Sequence, residues 1–346
     1  VVIAQPIRVI LSNILNKIRE SGIVTTICED IQQEPTIRDV EKILFNVRNL
    51  KIDSVVGIGG GSVLDVAKII AAKINNPQTI AEMIGIGNLK GRSTYLACIP
   101  TTSGTGSEVS PNAILLDEAD NMKKGIISSF LVPDAVYIDP ALTLGLPSKF
   151  TAETGLDALC HCIEAFTNKF SHPLIDLYAL EGIRLISVSL LNAVNDGTNI
   201  ADRTNLSLGS YYGGLCLGPV NTAAIHALSY PLGGEFHISH GLANALLLPL
   251  VFEFNSVSDM HKHAKIAVAL GVDESLTEPE KVKLGIEKLK KLNKDCNIPE
   301  KLSELGVDIS MIDKLAISAM KVERLLKNNP RELKFFDAQI IYSKLF

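Results

Sequence analysis

Up to about residue 140, apolar residues recur first at helical spacing and then in short β-branched runs, and the two patterns alternate. The helical spacing predicts helices over 6–20, 36–50 and 62–73, the second entered at Pro35-Thr36. The short runs predict strands over 23–28, 53–57 and 95–101. Such alternation predicts a parallel sheet with helices on both faces. From Pro147 onward helical spacing takes over, through 150–168, 174–195, 201–217, 240–255, 281–296 and 312–327. The expected division is therefore an α/β domain over 1–146 and an all-α domain over 147–346. The boundary falls between Asp139-Pro140 and Pro147, with no low-complexity linker and no fixed-period repeat, so the domains are expected to pack closely around a cleft.

Two loops at predicted strand ends carry candidate chemistry. Gly57-Ile58-Gly59-Gly60-Gly61-Ser62 follows a strand and opens a helix. Glycines there allow a tight turn and close approach of a ligand, and the helix N-terminus favours an anion such as phosphate. No Lys-Ser/Thr pair follows at P-loop spacing, which argues against a nucleoside triphosphatase. Pro100-Thr101-Thr102-Ser103-Gly104-Thr105-Gly106-Ser107 is dense in hydroxyls able to bind a phosphate, ribose or amide. Each loop taken alone also reads as an ordinary turn. Together they fall where open α/β sheets bind ligands, beyond the carboxyl ends of the strands.

In the helical half, Asp157 and His161 stand four apart and so share a helix face. His226 lies in the apolar helical run Ala224-Ile225-His226-Ala227-Leu228, and His240 in Ser239-His240-Gly241 just before the helix of 242–252. One carboxylate and three imidazoles suit Fe(II), Zn(II) or a similar ion, with room for a substrate if the ion expands beyond four ligands. An Asp/His pair at this spacing is also a common surface hydrogen bond, and a buried His a common core residue. Spacing alone leaves both readings open.

Composition restricts the class further. The 346 residues carry 33 Lys and Arg against 38 Asp and Glu, a net charge of −5 that argues against a nucleic-acid partner. Mean hydropathy is +0.24, yet the richest apolar stretch, 242–252, contains Asn244 and Pro249 and falls short of the ~18 residues of a membrane span. That apolar excess is assigned to a large core or a buried subunit interface, hence a homodimer or larger assembly. The six cysteines are scattered and mostly within apolar segments, as buried thiols in a reducing cytosol would be. Cys160 and Cys162 flank His161, but no second pair completes a zinc cluster. No signal peptide is visible, and without an initiator Met the chain is read as cut or processed at its start. Aromatic residues are 5% and Trp is absent, favouring a small aliphatic substrate over a stacked carbohydrate.

The run Gly59-Gly60-Gly61-Ser62-x-x-Asp65-x-Ala67-Lys68 resembles the cofactor-loop signature of the iron-dependent (group III) alcohol dehydrogenases, as does Pro100-Thr101-Thr102-x-Gly104-Thr105-Gly106-Ser107-Glu108. Gly155-x-Asp157-Ala158-x-x-His161-x-x-Glu164-Ala165 is similar to their first metal signature. His226-Ala227-x-x-x-Pro231-Leu232-Gly233-Gly234 with His240-Gly241 is similar to their second, and Asn329-Pro330-Arg331 fits their closing helix pair. The resemblance spans essentially the whole chain. It implies an α/β Rossmann-like N-terminal domain plus an all-α C-terminal domain, the fold shared with dehydroquinate synthase. It implies a metal held in the cleft by Asp157, His161, His226 and His240: Fe(II), with Zn(II) as the other candidate. A nicotinamide cofactor would lie with its pyrophosphate along Gly59, Gly60, Gly61 and Ser62, lined by Asp65, Thr101, Thr102, Thr105, Lys124 and Leu142. The implied reaction is hydride transfer between this cofactor and a small alcohol or aldehyde, the substrate oxygen being activated by the ion.

Three departures from the family pattern stand out. The family's opening strand pair, and a further strand ending in Thr-Asp, are missing ahead of the first helix, roughly a tenth of the expected length. That strand end would carry the acid that selects NAD over NADP, so either nucleotide is expected. Tyr230 stands four residues after His226, where many members have another His that relays a proton. A tyrosine, with an unperturbed pKa of about 10, relays less readily at neutral pH. Tyr230 is therefore expected to shape the pocket, and the proton to leave through water or His237, itself readable as a plain loop residue. Leu250 replaces the His of a common Pro-His pair, a packing change. Three other readings compete. A hydroxyacid-oxoacid transhydrogenase with retained cofactor would need a cationic pocket. A lyase of the dehydroquinate synthase type would favour a Glu-His-His set. A non-catalytic metal-binding scaffold would turn over nothing.

Overall fold

The computed structural model describes residues 2–3, 8–29, 31, 34–119 and 122–346. The chain divides into two compact units, the first comprising Val1–Thr102 and Ser107–Thr143, the second Ser103–Gly106 and Leu144–Phe346.

In the first unit, β1 (Val2–Ile3), β2 (Ser54–Gly59), β4 (Tyr95–Pro100) and β7 (Ala135–Val136) form a sheet in the order β1-β2-β4-β7, every pairing parallel. The helices are α1 (Arg8–Glu20), α2 (Ile37–Val47), α3 (Gly61–Lys73) and α4 (Ile80–Met83). A capping box at Thr36, whose hydroxyl accepts from the Asp39 amide, starts α2 at the expected place. Helix α3 is apolar nearly all round and is buried from Val63 to Ala72 save for Asp65, which suits a helix enclosed in a core. Val66, Ile69, Leu96 and Leu115 are the centre of that core.

Two features differ from the sequence reading. A second sheet, in the order β3-β6-β5, joins β3 (Gly85–Ile86), β5 (Asn112–Asp117) and β6 (Met122–Ile127), with β5 and β6 antiparallel. Its strands are short and half-polar, so neither a continuous apolar run nor clean alternation announces them. The β-branched stretch 23–28 is not a strand: only Cys28 makes a bridge, and Val24 is 95% exposed. Propensity without a neighbouring ladder does not make a strand. The helix expected over 6–20 is described from Arg8, and residues 6 and 7 lie outside the described residues.

The second unit is helical: α5 (Ser148–Thr167), α6 (Pro173–Asn195), α7 (Ile200–Leu217), α8 (Ala224–Phe236), α9 (His240–Ser256), α10 (Met260–Ala269), α11 (Glu278–Asp295), α12 (Ile312–Met320), α13 (Glu323–Leu326) and α14 (Phe335–Ser343). Helix α5 is its axis, buried at almost every position from Thr151 to Thr167, and α6, α7 and α9 pack around it. The buried Arg203 of α7 ties down the start of α5, donating to Thr151 Oγ1 at 2.8 Å and Leu146 O at 3.2 Å. The single helix expected over 312–327 is broken at Lys321-Val322, and the Val322 amide closes a turn onto Ala319 O. No helix among the described residues is long and apolar enough to cross a membrane.

Candidate metal and nucleotide sites

At the end of β2 the backbone turns directly into α3. A Cβ on Gly59 would meet the Val63 side chain at 2.6 Å, so only glycine permits this turn, and Gly60 caps the helix. Gly61 and Ser62 supply first-turn amides that no residue within the helix can satisfy. Neighbouring β4 ends in register, Gly59 against Pro100, and brings Thr101 and Thr102 alongside. The Thr101 amide donates to Gly59 O at 3.0 Å, and Thr102 lies 3.3 Å from where a Gly60 Cβ would stand. The structure thus gathers Gly59, Gly60, Gly61, Ser62, Thr101 and Thr102 around one helix N-terminus. Lys124 lies on β6 opposite Leu115, Leu142 on the turn Pro140–Thr143, and Thr105 in the segment that belongs to the second unit.

Asp65 faces the protein interior. Its Oδ1 accepts from Ser107 Oγ at 2.5 Å and its Oδ2 from the Ile114 amide at 2.9 Å. One turn on, Lys68 is fully buried and donates to Ser110 O at 2.9 Å and Asn112 O at 2.8 Å. Burial raises Asp65 and lowers Lys68, each opposed by the other's charge. Burial also pushes Glu108 up to about 7. Asp65 and Lys68 anchor the hydroxyl-rich loop and β5 beneath the glycine turn, with Glu108 buried nearby.

In the second unit the four expected metal ligands meet. Asp157 Oδ1 lies 3.8 Å from His161 Nε2, 3.6 Å from His226 Nε2 and 3.6 Å from His240 Nε2. Donors around an ion at ~2.1 Å stand ~3.0–3.4 Å apart, so a small inward movement closes this set on a first-row divalent metal. Ligand atoms of Asp157, His161 and His226 all fall within 4.8 Å of one another. These three are buried, whereas His240 has 33% of its side chain exposed and marks the open side. The rings of His161 and His226 stack at 4.8 Å.

The far nitrogens explain the aim of two rings. His161 Nδ1 lies 3.2 Å from Gly104 O, to which it donates, turning Nε2 toward Asp157. His226 Nδ1 lies 2.5 Å from Glu164 Oε2, while Glu164 Oε1 accepts the Ile225 amide at 2.6 Å. Burial would lower His226, but Glu164 and Asp157 outweigh it and hold it at about 10. Burial would raise Asp157, but the imidazoles keep it far below the usual carboxylate range. Burial lowers His161 in spite of Asp157. Asn244 was missed altogether: its Nδ2 donates to Asp157 Oδ1 at 2.7 Å, with His226 Nε2 at 3.1 Å and His240 Nε2 at 3.2 Å, and its buried Oδ1 has no hydrogen-bond partner among the described residues. Helical spacing was the available signal, since Glu164 is at i+7 from Asp157 and Asn244 at i+4 from His240.

Close approach of α5 and α9 makes the cluster possible. A Cβ on Gly241 would meet Glu153 O at 2.3 Å, so glycine beside His240 lets the two backbones touch one turn from Asp157. The cysteines beside His161 turn away, Cys160 toward Asn244 O and Cys162 toward Gly209 O. Cys98, Cys160, Cys162, Cys216 and Cys296 are buried thiols outside any disulfide. Tyr230 packs its ring 6.1 Å from that of His240. His237 caps α8 in the left-handed region at φ 55°, is exposed, and its ring makes no hydrogen bond among the described residues.

A glycine-capped helix start in an α/β unit and a carboxylate with three imidazoles in an all-helical unit define a metal- and nucleotide-dependent oxidoreductase. The family profile described as "Iron-containing alcohol dehydrogenase" matches residues 1–140, and "Fe-containing alcohol dehydrogenase family, C-terminal" matches residues 151–346. Long-chain-alcohol dehydrogenase 1 of Geobacillus thermodenitrificans is 36% identical, the match covering 100% of this chain and 89% of the relative. A crystal structure of 1,3-propanediol oxidoreductase superposes with a TM-score of 0.95 at 30% identity, covering 100% of this chain and 92% of that one. The sulfoacetaldehyde reductase of Bifidobacterium kashiwanohense, solved in complex with NAD+, superposes with a TM-score of 0.88 at 27% identity, covering 99% and 90%. The chain belongs to the iron-containing alcohol dehydrogenase family. It is an oxidoreductase that moves a hydride between an alcohol or aldehyde and a nicotinamide nucleotide, with iron as the family's metal. The lyase expectation falls with this assignment, in keeping with Asp157 and three histidines in place of Glu-His-His.

Proposed function

We propose that Asp157, His161, His226 and His240 hold the catalytic metal, Fe(II) or in its place Zn(II), and that this chain reduces and oxidises small aldehydes and alcohols with NAD or NADP. The observation that carries the reading is the convergence of three imidazole Nε2 atoms on Asp157 Oδ1, two of them aimed by partners on their far nitrogens. The bound ion supplies Lewis acidity at the substrate oxygen.

The chain's own residues do the rest. Asp157 gives the set its negative charge, and Glu164 keeps the His226 proton on Nδ1 so that Nε2 stays available as a ligand. Asn244 steadies Asp157 from α9. The amides of Gly61 and Ser62 receive the nucleotide pyrophosphate, with Gly59 and Gly60 leaving room for it. Thr101, Thr102, Thr105, Lys124 and Leu142 line the nucleotide, and Asp65 fixes the loop from behind. Tyr230 shapes the pocket beside His240, and the proton leaves through water or His237. A Tyr230→His variant should alter the pH–rate profile, because an imidazole there offers a relay that a tyrosine does not, and an unchanged profile would remove the proton-relay part of the reading. The five buried thiols outside any disulfide accord with a cytoplasmic enzyme. Leu174, Leu177 and Val188, exposed on one face of α6, accord with a homodimer or larger assembly.

The test is oxidation of NADH and of NADPH by chain loaded anaerobically with Fe(II), against a panel of short aldehydes. Metal-dependent oxidation is expected, lost on chelation and in Asp157→Asn, with nucleotide binding kept. Turnover that survived chelation would overturn the metal assignment.

A further inference from the structure

A cation beside the metal ligands is left over by this chemistry. Arg324 of α13 donates from Nη2 to Tyr230 Oη at 3.1 Å and sets its Cζ 5.8 Å from the Tyr230 ring. That ring in turn lies against His240. Arg324 is half-buried and pairs with no carboxylate among the described residues. Two acids of the surrounding elements are engaged elsewhere, Glu235 of α8 with Lys314 at 2.6 Å and Glu253 of α9 with Lys344 at 3.0 Å, and Glu323 beside Arg324 on α13 is exposed. Among the described residues, only one donor of the guanidinium fork has a protein acceptor. Because Tyr230 Oη accepts from Arg324, its own hydrogen is available to donate, and no acceptor for it stands among the described residues. A tyrosine at 230 reaches further out than an imidazole would, which lets it meet Arg324. Holding a guanidinium partly out of water without a counter-ion costs desolvation energy that an incoming anion offsets.

We propose that Arg324 and the Tyr230 hydroxyl form an oxyanion subsite beside the metal centre, so that the preferred aldehyde or alcohol carries a carboxylate or sulfonate at the end remote from its reacting carbon. The proposal rests on the dehydrogenase reading for where the reacting carbon lies. It names the substrate class for that same site. Planar fork geometry suits either group, and Tyr230 O–H adds a third donor.

Two measurements on the full chain test it. In the first, calorimetry follows butane-1-sulfonate, butanoate and butan-1-ol binding to the iron-loaded and the metal-stripped protein. The anions are expected to bind both forms. In Arg324→Met their affinity relative to butan-1-ol should fall by at least about tenfold, with partial recovery in Arg324→Lys. Whichever anion binds more tightly identifies the group. In the second, kcat/KM for 4-oxobutanoate relative to pentanal should fall by a similar factor in Arg324→Met, with the loss in KM, and Arg324→Glu should turn the preference toward 4-aminobutanal. Anion binding that ignores both Arg324→Met and Arg324→Lys, or its absence from the parent protein, overturns the subsite even if aldehydes are reduced. Arg324-dependent binding without aldehyde turnover would uphold the subsite and overturn the dehydrogenase reading instead.

Discussion

At the scale of single residues, the proposed metal centre would depend on groups outside its ligand set. Glu164 and the Gly104 carbonyl fix which nitrogen of His226 and of His161 is presented. Replacing such a carboxylate typically weakens metal binding by ~10–100-fold, so Glu164→Gln should retain the fold while its iron or zinc dissociation constant rises by that factor in a chelator competition. An unaltered constant would reduce Glu164 to packing. Glu108 allows a second test. Its folded carboxyl keeps a proton up to about 7, whereas the unfolded chain releases it near 4.5. The stabilising contribution is therefore complete below about 4.5 and disappears as pH rises through about 7. A neutral glutamine escapes that loss. Glu108→Gln should gain on the parent between pH 5 and 8 by about 3 kcal/mol, read from denaturant unfolding at several pH values.

At the scale of elements, three helices assemble the centre: α5 presents Asp157, His161 and Glu164 on one stripe, α8 presents His226, and α9 presents His240 and Asn244. Their spacing is set where side chains are smallest. In Gly241→Ala the added methyl would press on the Glu153 carbonyl, which is backbone and cannot turn aside. The expected cost is about 1–3 kcal/mol of stability together with loss of bound metal after gel filtration. A variant that kept full metal occupancy would show that α9 can shift without breaking the ligand set. The division of labour also explains the expectations that failed among the elements. A strand needs a continuous ladder, and the stretch 23–28 is bridged only at Cys28, while the helix of 312–327 yields to a turn at Lys321-Val322 that no proline or glycine announces.

At the scale of the whole molecule, the apolar excess of the composition is largely accounted for by the core around α5, but not all of it is covered. Leu177 is 69% exposed, with Leu174 at 55% and Val188 at 58% on the same face of α6. If that face joins copies of the chain, light scattering should give a dimer or larger species. The double variant Leu174→Lys, Leu177→Lys should move the mass to that of the monomer with its melting curve still cooperative. A monomeric parent protein at micromolar concentration would end the oligomer proposal.

Local signals in the sequence went far. Helix periodicity, the turn into α3 and the i, i+4 pair of Asp157 and His161 depend on neighbours a few residues apart, where spacing translates directly into geometry. The long motifs added the family and, with it, the proposed ligand set. What the sequence left open depends on approach between distant segments. Only the folded chain brings Gly104 O to His161, Glu164 to the second histidine, Asn244 into the middle of the ligands, and Arg324 onto Tyr230. Those contacts join residues between 4 and 94 positions apart, and all but two of them span 57 or more. Burial then decides their chemistry, because a carboxyl such as Glu108 shifts only once water has been removed from around it.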